Sequence, residues 1–323
     1  MPYAIQILET GGPEVMHAVD VPEELPGPGQ ISIDQTAIGL NFIDVYHRSG
    51  LYPVNLPTAI GMEAAGSVSK IGDGVARFSI GDRVAYAGGG LGAYTNKRVI
   101  NADAVVKIPN DVTDETAAAI MLKGFTASYL LHRTHPIKEG DIVLFHAIAG
   151  GVGLIACQIL KQLGAIVVGT VGNKKKAELA RKYGCDYPIV YTEESFKTAV
   201  MDITDGLGVP VVYDSVGAST FDESIDCLAK FGTFVSFGNA SGPVPPFEPG
   251  LLSQKGSLFF TRPTLMSHIG TPDLVTELAD WLFEYVDNGL EVEIKQTFAL
   301  KEAADAHRAL ESRNTIGSTI LIP

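Results

Sequence analysis

The chain has 323 residues, of which 46% are hydrophobic and 19% charged, a composition typical of a globular protein with room for two domains. Its formal net charge of -13 at pH 7 argues against an extended surface for nucleic acid or anionic membranes, because phosphate contacts need clustered cations. A local basic site remains compatible with this acidic balance.

The N-terminal stretch MPYAIQILETGGPE has neither the basic flank nor the long apolar core of a signal peptide. No apolar run in the sequence reaches transmembrane length. The three cysteines, Cys157, Cys185 and Cys227, are far apart and odd in number, which fits a reducing compartment better than a disulfide framework. We therefore expect a cytoplasmic protein without a membrane partner.

Residues 1 to about 125 alternate short apolar runs with turn-forming residues. The runs at residues 3–8, 30–38 and 66–71 are strand candidates, and the segments PEELPGPG, GDG and GDR interrupt this region as turns. This spacing predicts a small barrel or a partly open sheet. Residues 111–131 then follow a helical pattern that leads towards a glycine cluster.

The glycine cluster AIAGGVG lies between a strand-length apolar run at residues 141–146 and a run with helical spacing. A strand, a glycine turn and a helix open a dinucleotide-binding unit, because the backbone can approach a pyrophosphate and the helix N-terminus supplies N–H groups. Gly150, Gly151 and Gly153 are present, but Ile148 stands where a strict G-x-G-x-x-G motif begins. A purely structural turn is the alternative interpretation.

Strand and helix candidates alternate from the glycine cluster onwards, which predicts a doubly wound parallel sheet. The predicted strands are residues 141–146, 166–171, 188–191, 210–214, 233–237 and 257–261, and the predicted helices between them are residues 175–183, 196–203 and 220–230. Beyond these, 241–250 is a predicted loop, 272–288 a helix and the tail GSTILIP a strand returning to the first domain. We expect residues 126–261 to form a cofactor domain inserted between residues 1–125 and 262–323, with a small-molecule cleft between the domains.

The position that reads the ribose of the cofactor indicates which dinucleotide binds. An NAD site places an acid about 20 residues after the glycine loop, yet no acid occurs between Gly153 and Glu178. The chain instead has three consecutive lysines, at residues 174–176, after the predicted strand 166–171. Lysines at a helix start oppose the helix dipole, so a role in binding a 2′-phosphate is favoured over a merely solvated helix start.

Other catalytic motifs are absent from the sequence. It contains no G-x-S-x-G, no H-E-x-x-H and no Walker G-K-[ST]. His132 and His135 lie close together, but no cysteine or acid accompanies them at metal-ligand spacing, so a surface turn is favoured. Cys157 lies among apolar residues of a predicted helix and is expected in the core.

Seven segments together resemble one enzyme family: GLNFIDVYHRSGLYP (39–53), GMEAAGSVSKIGDGV (61–75), GDRVAY (81–86), HAIAGGVGLIACQ (146–158), VVYDSVG (211–217), VSFGNASG (235–242) and LESRNTIGS (310–318). On these the chain resembles the quinone oxidoreductases of the zinc-independent medium-chain dehydrogenase/reductase superfamily, a group that includes ζ-crystallin-like proteins. That family carries A-x-x-G-x-x-G at the cofactor loop, which Ala147, Gly150 and Gly153 match. The resemblance implies an α/β protein with a Rossmann domain and a β-rich GroES-like barrel as catalytic domain.

The resemblance also implies that no metal is bound. Zinc-dependent relatives carry a cysteine where this chain has Asn41 and G-H-E where it has Gly61-Met62-Glu63, and their four-cysteine lobe is missing here. Without a Lewis acid, alcohol oxidation is disfavoured. Quinones and activated enones suit such a site better, because their conjugated carbonyls accept a hydride readily.

Matching segments assign candidate roles near the substrate. Asn41 resembles the family asparagine beside the nicotinamide, with turn capping as the alternative. Tyr46 and Tyr52 resemble residues that line the substrate pocket, where either could stack on a quinone, donate a proton or serve packing alone. Arg262 is a weaker pocket candidate.

The remaining candidates are residues that the resemblance places around the cofactor. Thr126 resembles a residue near the nicotinamide amide, while Lys176 and Tyr191 match positions that contact the 2′-phosphate and ribose. Arg313 resembles a C-terminal arginine that reaches back to a phosphate, with a surface arginine as the alternative. The other candidates are backbone-approach and loop residues, namely Gly150, Gly151, Val152, Gly153, Gly172, Ser215, Gly217, Phe237, Gly238 and Asn239.

The hypothesis is an NADPH-dependent quinone reductase that transfers a hydride, or single electrons, without a metal. The alternatives are an NADPH-dependent alkenal or enone double-bond reductase and a non-catalytic NADPH-binding protein of the crystallin or RNA-binding type. The acidic balance makes nucleic acid an unexpected partner. A homodimer is expected from the family, with residues 233–237 as the edge strand through which the copies pair.

Overall fold

The computed structural model describes residues 1–312 and 315–323. Its contacts divide the chain into two compact units, one formed by Met1–Phe125 with His268–Pro323 and the other by Thr126–Ser267. The first boundary falls inside a helix, Asp114–Tyr129.

The N-terminal part of the first unit consists mainly of strands. Its elements are β1 (Tyr3–Ile7), β2 (Met16–Asp20), β3 (Gln30–Leu40), α1 (Phe42–Ser49), β4 (Thr58–Ala59), β5 (Glu63–Ile71), β6 (Arg83–Ala87), β7 (Lys97–Asn101), β8 (Val105–Lys107) and α2 (Asp114–Tyr129). Short 3₁₀ turns lie at Pro13–Val15 and Ala102–Ala104, and a π-helical turn, Leu130–Thr134, follows α2.

The second unit alternates strands and helices. It contains β9 (Ile142–Phe145), α3 (Gly151–Gln162), β10 (Ile166–Val171), α4 (Lys174–Lys182), β11 (Tyr187–Val190), α5 (Phe196–Ile203), β12 (Val209–Asp214), α6 (Phe221–Asp226), β13 (Leu228–Ser236), α7 (Gly250–Gln254) and β14 (Phe259–Thr261).

The chain then returns to the first unit. It forms α8 (Leu265–His268), α9 (Pro272–Asp287), β15 (Ile294–Ala299), a 3₁₀ turn (Leu300–Glu302), α10 (Ala303–Glu311) and β16 (Ser318–Ile322). Strand β16 pairs antiparallel with β3, with Ile320 opposite Gly39, which confirms the predicted return of the tail.

Two sheets organise the first unit around one apolar core. The larger has the order β15-β16-β3-β5-β6-β8, with β7 also pairing with β3, and the smaller has the order β2-β1-β4. The long strand β3 is central, and the register of its pairing with β5 shifts twice, between Ser32 and Ile33 and between Gln35 and Ala37. Buried side chains of both sheets fill the core, including Ile5, Ile7, Ile31, Ile33, Val84 and Leu321.

The second unit is a parallel sheet with the order β11-β10-β9-β12-β13-β14. Counted within the unit, this is the 3-2-1-4-5-6 order of a dinucleotide-binding sheet. Strands β9, β10, β11 and β12 are mostly buried, as expected where helices cover both faces of a sheet, whereas no residue of the edge strand β14 is buried. Four phenylalanines from a strand, a helix, a loop and the edge strand pack together in its core: Phe221, Phe234, Phe247 and Phe260.

The structure corrects two of the sequence-based expectations for this sheet. The predicted helix 220–230 ends at Asp226, because the Cys227 carbonyl accepts a hydrogen bond from the Val209 N–H at 2.8 Å and Leu228 pairs with Val209 in the sheet. The predicted edge strand 233–237 is internal, because β14 pairs with β13, setting Phe259 opposite Thr233. In addition, α7 begins at Gly250, the last residue of the predicted loop.

Candidate functional site

The glycine cluster forms a tight turn between β9 and α3. Gly150 is the N-cap of α3, its N–H donates to the Ala147 carbonyl at 2.9 Å, and Ala147 itself adopts a left-handed φ of 55°. A Cβ at Gly153 would lie 2.5 Å from the carbonyl oxygens of Ala147 and Ile148. Only glycine therefore lets α3 pack this closely on the turn, and the first turn of α3 carries no acid that would compete for an anion.

The structure gives a physical reason for isoleucine at position 148. Ile148 is fully buried, and a Cβ on Gly169 of β10 would lie 2.5 Å from its Cγ2 methyl. The side chain thus fills the gap above a strand glycine instead of facing a ligand. The departure from the strict fingerprint is a packing substitution and leaves the turn intact.

The end of β10 brings together three predicted cofactor residues. A Cβ at Gly172 would lie 3.0 Å from the Tyr191 hydroxyl oxygen, so this glycine leaves room for the tyrosine. The Asn173 side chain caps α4 by accepting from the Lys176 N–H at 2.9 Å. The Lys176 side chain is half-buried, and burial lowers the pKa of its ammonium group, whereas Lys174 and Lys175 are exposed. Of the three lysines, Lys176 is the one whose charge is desolvated.

The loops after β12 and β13 lie against each other. A Cβ at Gly238 would lie 2.6 Å from the Ser215 carbonyl oxygen, and the Ala240 N–H donates to that same oxygen at 3.1 Å. The Phe237 ring packs against Phe145, with ring centroids 5.6 Å apart. The predicted residues Ser215, Gly217, Phe237, Gly238 and Asn239 are therefore gathered at the carboxyl edge of the sheet, where such folds bind ligands.

Sequence reasoning missed the buried acid that shapes the first of these loops. Asp214 is fully buried, and its carboxylate accepts from the N–H groups of Val216 and Gly217 at 2.6 and 2.9 Å and from the Thr220 hydroxyl at 2.6 Å. Gly217 has a φ of 92°, a conformation that favours glycine. An acid directly after an apolar strand and before S-V-G was the available signal.

Two other cofactor and pocket candidates are on other elements of the second unit. Thr126 is buried on α2. Arg262 follows β14, is exposed, and its guanidinium donates to the Pro263 carbonyl at 3.1 Å. Arg313 lies outside the described residues.

Asn41 lies in the first unit, between β3 and α1. Its backbone N–H donates to Asp44 Oδ2 at 2.9 Å, which caps the start of α1. Its side-chain amide nitrogen Nδ2 donates to Glu63 Oε1 at 2.7 Å. Asn41 therefore takes part in capping α1 through its backbone, while its side-chain amide is held in place by Glu63.

Tyr46 and Tyr52 are brought together by α1 and the chain that follows it. The Tyr52 N–H donates to the Tyr46 carbonyl at 3.0 Å, and the two rings meet edge to face with centroids 5.1 Å apart. His47 completes this aromatic group at 5.9 Å from Tyr52. Tyr46 is buried and Tyr52 is partly exposed.

Behind α1 runs a buried chain of hydrogen bonds that the sequence did not reveal. Arg48 can only donate, so His307 Nδ1 accepts from it at 3.1 Å and the ring proton lies on Nε2. His307 Nε2 donates to the Tyr94 hydroxyl oxygen at 3.0 Å, and that hydroxyl donates to Asp44 Oδ2 at 3.1 Å. Arg48 also binds Glu311 through two bonds of 2.9 Å.

Within this chain of hydrogen bonds, the pKa values of Asp44 and His307 are shifted in opposite directions from their ordinary values. Burial raises the pKa of Asp44 to about 7, outweighing the hydrogen bonds from Asn41 and Tyr94 that lower it. Burial and the Arg48 charge lower the pKa of His307 to about 3. Among the described residues Asp44 Oδ1 has no hydrogen-bond partner, which fits a carboxyl group that is costly to ionise.

The described residues contain no group of three or more His, Cys, Asp or Glu side chains placed to hold a metal ion. No helix among them is long and apolar enough to cross a membrane.

Two family models match the chain. One described as the alcohol dehydrogenase GroES-like domain matches residues 27–110, and one described as zinc-binding dehydrogenase matches residues 151–284. Together with the parallel sheet of the second unit, the first match confirms the predicted fold class of a Rossmann domain with a GroES-like domain.

The chain is similar over its whole length to several known proteins. A protein named quinone oxidoreductase from Pseudomonas aeruginosa is 50% identical over 321 residues, 99% of both chains. The crystal structure of Escherichia coli quinone oxidoreductase complexed with NADPH superposes with a TM-score of 0.98 at 48% identity, covering 99% of this chain and 100% of that one. A Burkholderia protein named 2-haloacrylate reductase is 43% identical, covering 100% of this chain and 99% of its own.

Replacing Asp44 by asparagine tests the opposed pKa shifts. The folded protein binds a proton at Asp44 between about pH 4 and 7 that the unfolded chain does not, so this group makes stability fall as pH rises. His307 acts oppositely, since below pH 6.5 the unfolded chain binds the proton and stability falls as pH drops. We compare the free energy of unfolding of Asp44→Asn with that of the unsubstituted protein. Between about pH 4 and 6.5 we expect the difference, variant minus unsubstituted, to increase by about 1.4 kcal/mol for each pH unit.

Urea unfolding at a series of pH values measures this slope. The matched control is His307→Gln, for which the added slope has the opposite sign. A pH dependence of Asp44→Asn that matches the unsubstituted protein contradicts the burial effect on Asp44.

Proposed function

The chain belongs to the quinone oxidoreductase family of medium-chain dehydrogenases/reductases, and we propose that it is an enzyme that reduces a quinone with NADPH. The observation that carries this proposal is 48–50% identity, over 99% of the chain, to three proteins named quinone oxidoreductase. The solved E. coli relative with NADPH supports the cofactor.

The second unit fits this cofactor by its own geometry. Gly153 permits a close turn at an acid-free helix N-terminus, which suits a pyrophosphate. The loops that contain Ser215 and Gly238 suit the remainder of the dinucleotide, because they gather at the carboxyl edge of the same sheet. When bound, NADPH supplies the hydride and its two electrons.

The preference for NADPH is assigned to the end of β10. Lys176 is half-buried, so its ammonium group gains more from a phosphate than the exposed Lys175 does. Tyr191 lies over Gly172, where its hydroxyl could bind the ribose or its phosphate. No acid is placed at this position to bind the 2′-hydroxyl of NAD, since the first acid after Gly153 is Glu178.

The substrate side is assigned to the first unit. Tyr52, partly exposed and held against Tyr46, is proposed to stack on the quinone ring, and the hydroxyl of either tyrosine can donate the proton that the reduced oxygen needs. Arg262 is a further pocket candidate. We propose metal-independent reduction, because Asn41 and Met62 replace side chains that ligate zinc in zinc-dependent relatives.

A second candidate function is reduction of an activated carbon–carbon double bond. The relative named 2-haloacrylate reductase is 43% identical over the whole chain, and a haloacrylate is a conjugated acid rather than a quinone. In both reactions the hydride acceptor contains a carbon–carbon double bond conjugated to a carbonyl group. The residues that line the pocket would therefore determine which of the two substrates is reduced. A cofactor-binding protein without turnover is the third alternative.

A substrate panel separates these functions. We expect the protein to oxidise NADPH rapidly with benzoquinones and naphthoquinones and at least about tenfold more slowly with 2-alkenals and 2-haloacrylate, measured as kcat/KM in parallel assays. Rapid turnover of alkenals or haloacrylate with inert quinones establishes the double-bond reductase instead. NADPH binding with no turnover of any acceptor establishes the non-catalytic alternative.

Lys176→Ala tests the cofactor assignment. Loss of a charge-assisted contact to the 2′-phosphate is expected to weaken NADPH binding by about tenfold to a hundredfold and to leave NADH binding within about twofold. Binding is measured by isothermal titration, with Lys175→Ala as the matched control on the same helix turn. Equal losses for both cofactors, or an equal effect of Lys175→Ala, contradict the role of Lys176.

The finer assignments of assembly and location also belong to the proposal. We propose a homodimer in which β14 of one copy pairs with β14 of the other, because β14 is the last strand of the sheet and Phe259 on it is 60% exposed. Phe231, on the neighbouring strand, is also exposed. A cytoplasmic location is supported by the three cysteines, which are buried and not joined in disulfides.

Phe259→Lys tests the pairing surface. Sedimentation of the unsubstituted protein should give twice the chain mass of 34.3 kDa, and the variant should be mainly monomeric at the same concentration. Ile80→Lys, which alters an exposed apolar residue of the other unit, is the control and should remain dimeric. A dimeric Phe259→Lys variant rules out β14 as the interface.

A further inference from the structure

Glu63 at the start of β5 is a completely buried carboxylate on which three N–H donors converge. Its Oε1 accepts from Asn41 Nδ2 at 2.7 Å and from Lys123 Nζ at 2.8 Å. Its Oε2 accepts from the backbone N–H of Leu122 at 2.6 Å. Lys123 is itself only 5% exposed, so the two charges form a buried ion pair.

The backbone around this carboxylate is built to admit it. A Cβ at Gly39 would lie 2.1 Å from Glu63 Oε1 and 2.3 Å from the Ala118 carbonyl oxygen. Gly39, two residues before Asn41 on β3, therefore passes between the carboxylate and α2 where no side chain fits. A glycine of β3, a backbone N–H of α2 and the buried Lys123 side chain thus all contact or make room for the Glu63 side chain.

This arrangement determines which end of the Asn41 amide faces Glu63. A carboxylate that already accepts from the Leu122 N–H and the Lys123 ammonium group offers Asn41 only an acceptor, so the amide must turn its NH₂ group towards it. The flip of an asparagine is set by its hydrogen-bond partners, and here the partner admits one orientation. The carbonyl oxygen Oδ1 of Asn41 is consequently the end directed away from Glu63.

We propose that Glu63 and Lys123 are positioning residues that hold the Asn41 amide in this orientation, so that Oδ1 accepts a hydrogen bond from an O–H or N–H donor of the nicotinamide riboside. The inference rests on the proposed function and on the family resemblance, which implies that Asn41 lies beside the nicotinamide. It narrows the role of Asn41, because the end of the amide that is directed away from Glu63 is the acceptor Oδ1.

The ion pair has a role here that an apolar pair would not fulfil. Apolar side chains of similar volume can replace a buried ion pair without loss of stability, so stability alone does not explain Glu63 and Lys123. Removal of the carboxylate takes away the acceptor that fixes the Asn41 NH₂ group. The Asn41 amide is then free to rotate, and its Oδ1 is no longer held in the position where it accepts a hydrogen bond from the cofactor.

A double-mutant cycle tests the inference with a binding readout. Glu63→Leu with Lys123→Met removes both charges at similar volume, and the pair is introduced into the unsubstituted protein and into Asn41→Ala. Affinity is measured by titration for NADPH and for 2′,5′-adenosine bisphosphate, a cofactor fragment without the nicotinamide riboside. Thermal unfolding of each variant is recorded alongside.

We expect the charge-free pair to weaken NADPH about tenfold in the unsubstituted protein and less than about twofold in Asn41→Ala. Affinity for 2′,5′-adenosine bisphosphate should stay within about twofold throughout. An equal loss of NADPH affinity in both backgrounds, or an equal loss for the fragment, overturns the positioning role.

Glu63→Gln covers the case in which the charge-free pair does not fold. Glutamine keeps the shape of the side chain but can offer Asn41 either a carbonyl or an NH₂ group, so the same non-additivity with Asn41→Ala is expected at a smaller amplitude. Additive effects of Glu63→Gln contradict the inference. If the unsubstituted protein binds NADPH and reduces quinones while the cycle is additive, the inference alone fails; without NADPH binding the proposed function fails as well.

Discussion

A carboxylate with no solvent contact has to be surrounded by hydrogen-bond donors, and in the first unit Glu63 imposes this requirement on two separate segments. The end of β3 provides Asn41, and α2 provides the Leu122 N–H and the Lys123 ammonium group. Gly39 is required for the approach. The orientation of the Asn41 amide, which is proposed to contact the nicotinamide riboside, is thus set by the burial of the Glu63 charge more than by the turn between β3 and α1.

The second unit follows a different constraint, the close approach of backbone to backbone. Gly153 lets α3 start directly on the turn, and Gly238 lets the loops after β12 and β13 touch. At each position a Cβ would lie too close to a backbone carbonyl oxygen, at 2.5 Å for Gly153 and 2.6 Å for Gly238. What results is a row of loops at the carboxyl edge of a parallel sheet, which is where dinucleotides bind in this architecture.

The second unit was largely predictable from the sequence, because hydrophobic runs and glycine turns are local signals. The parallel βα alternation and the glycine loop were both foreseen, and the fold class was confirmed. The boundary after α6 was wrong, since Leu228 joins the sheet through its pairing with Val209, a contact no local pattern reveals. The edge position of β14 was missed for the same reason.

The first unit was less predictable. Helices α1 and α10 were not foreseen, because each is short and neither lies in the regular strand–helix alternation that marks the second unit. The buried polar residues were missed almost entirely: Glu63 meets Lys123 across 60 positions and Arg48 meets His307 across 259. Charged side chains are ordinarily exposed, so their burial follows from tertiary pairing and leaves no periodic trace.

A single-turnover experiment shows directly whether the chain passes the hydride of NADPH to a quinone. Protein saturated with NADPH, freed of excess cofactor and of oxygen, is mixed with one equivalent of a benzoquinone while the absorbance of the reduced nicotinamide is followed. We expect complete loss of that absorbance and one hydroquinone formed per NADPH bound. Bound NADPH that stays reduced in the presence of every quinone tried would contradict it.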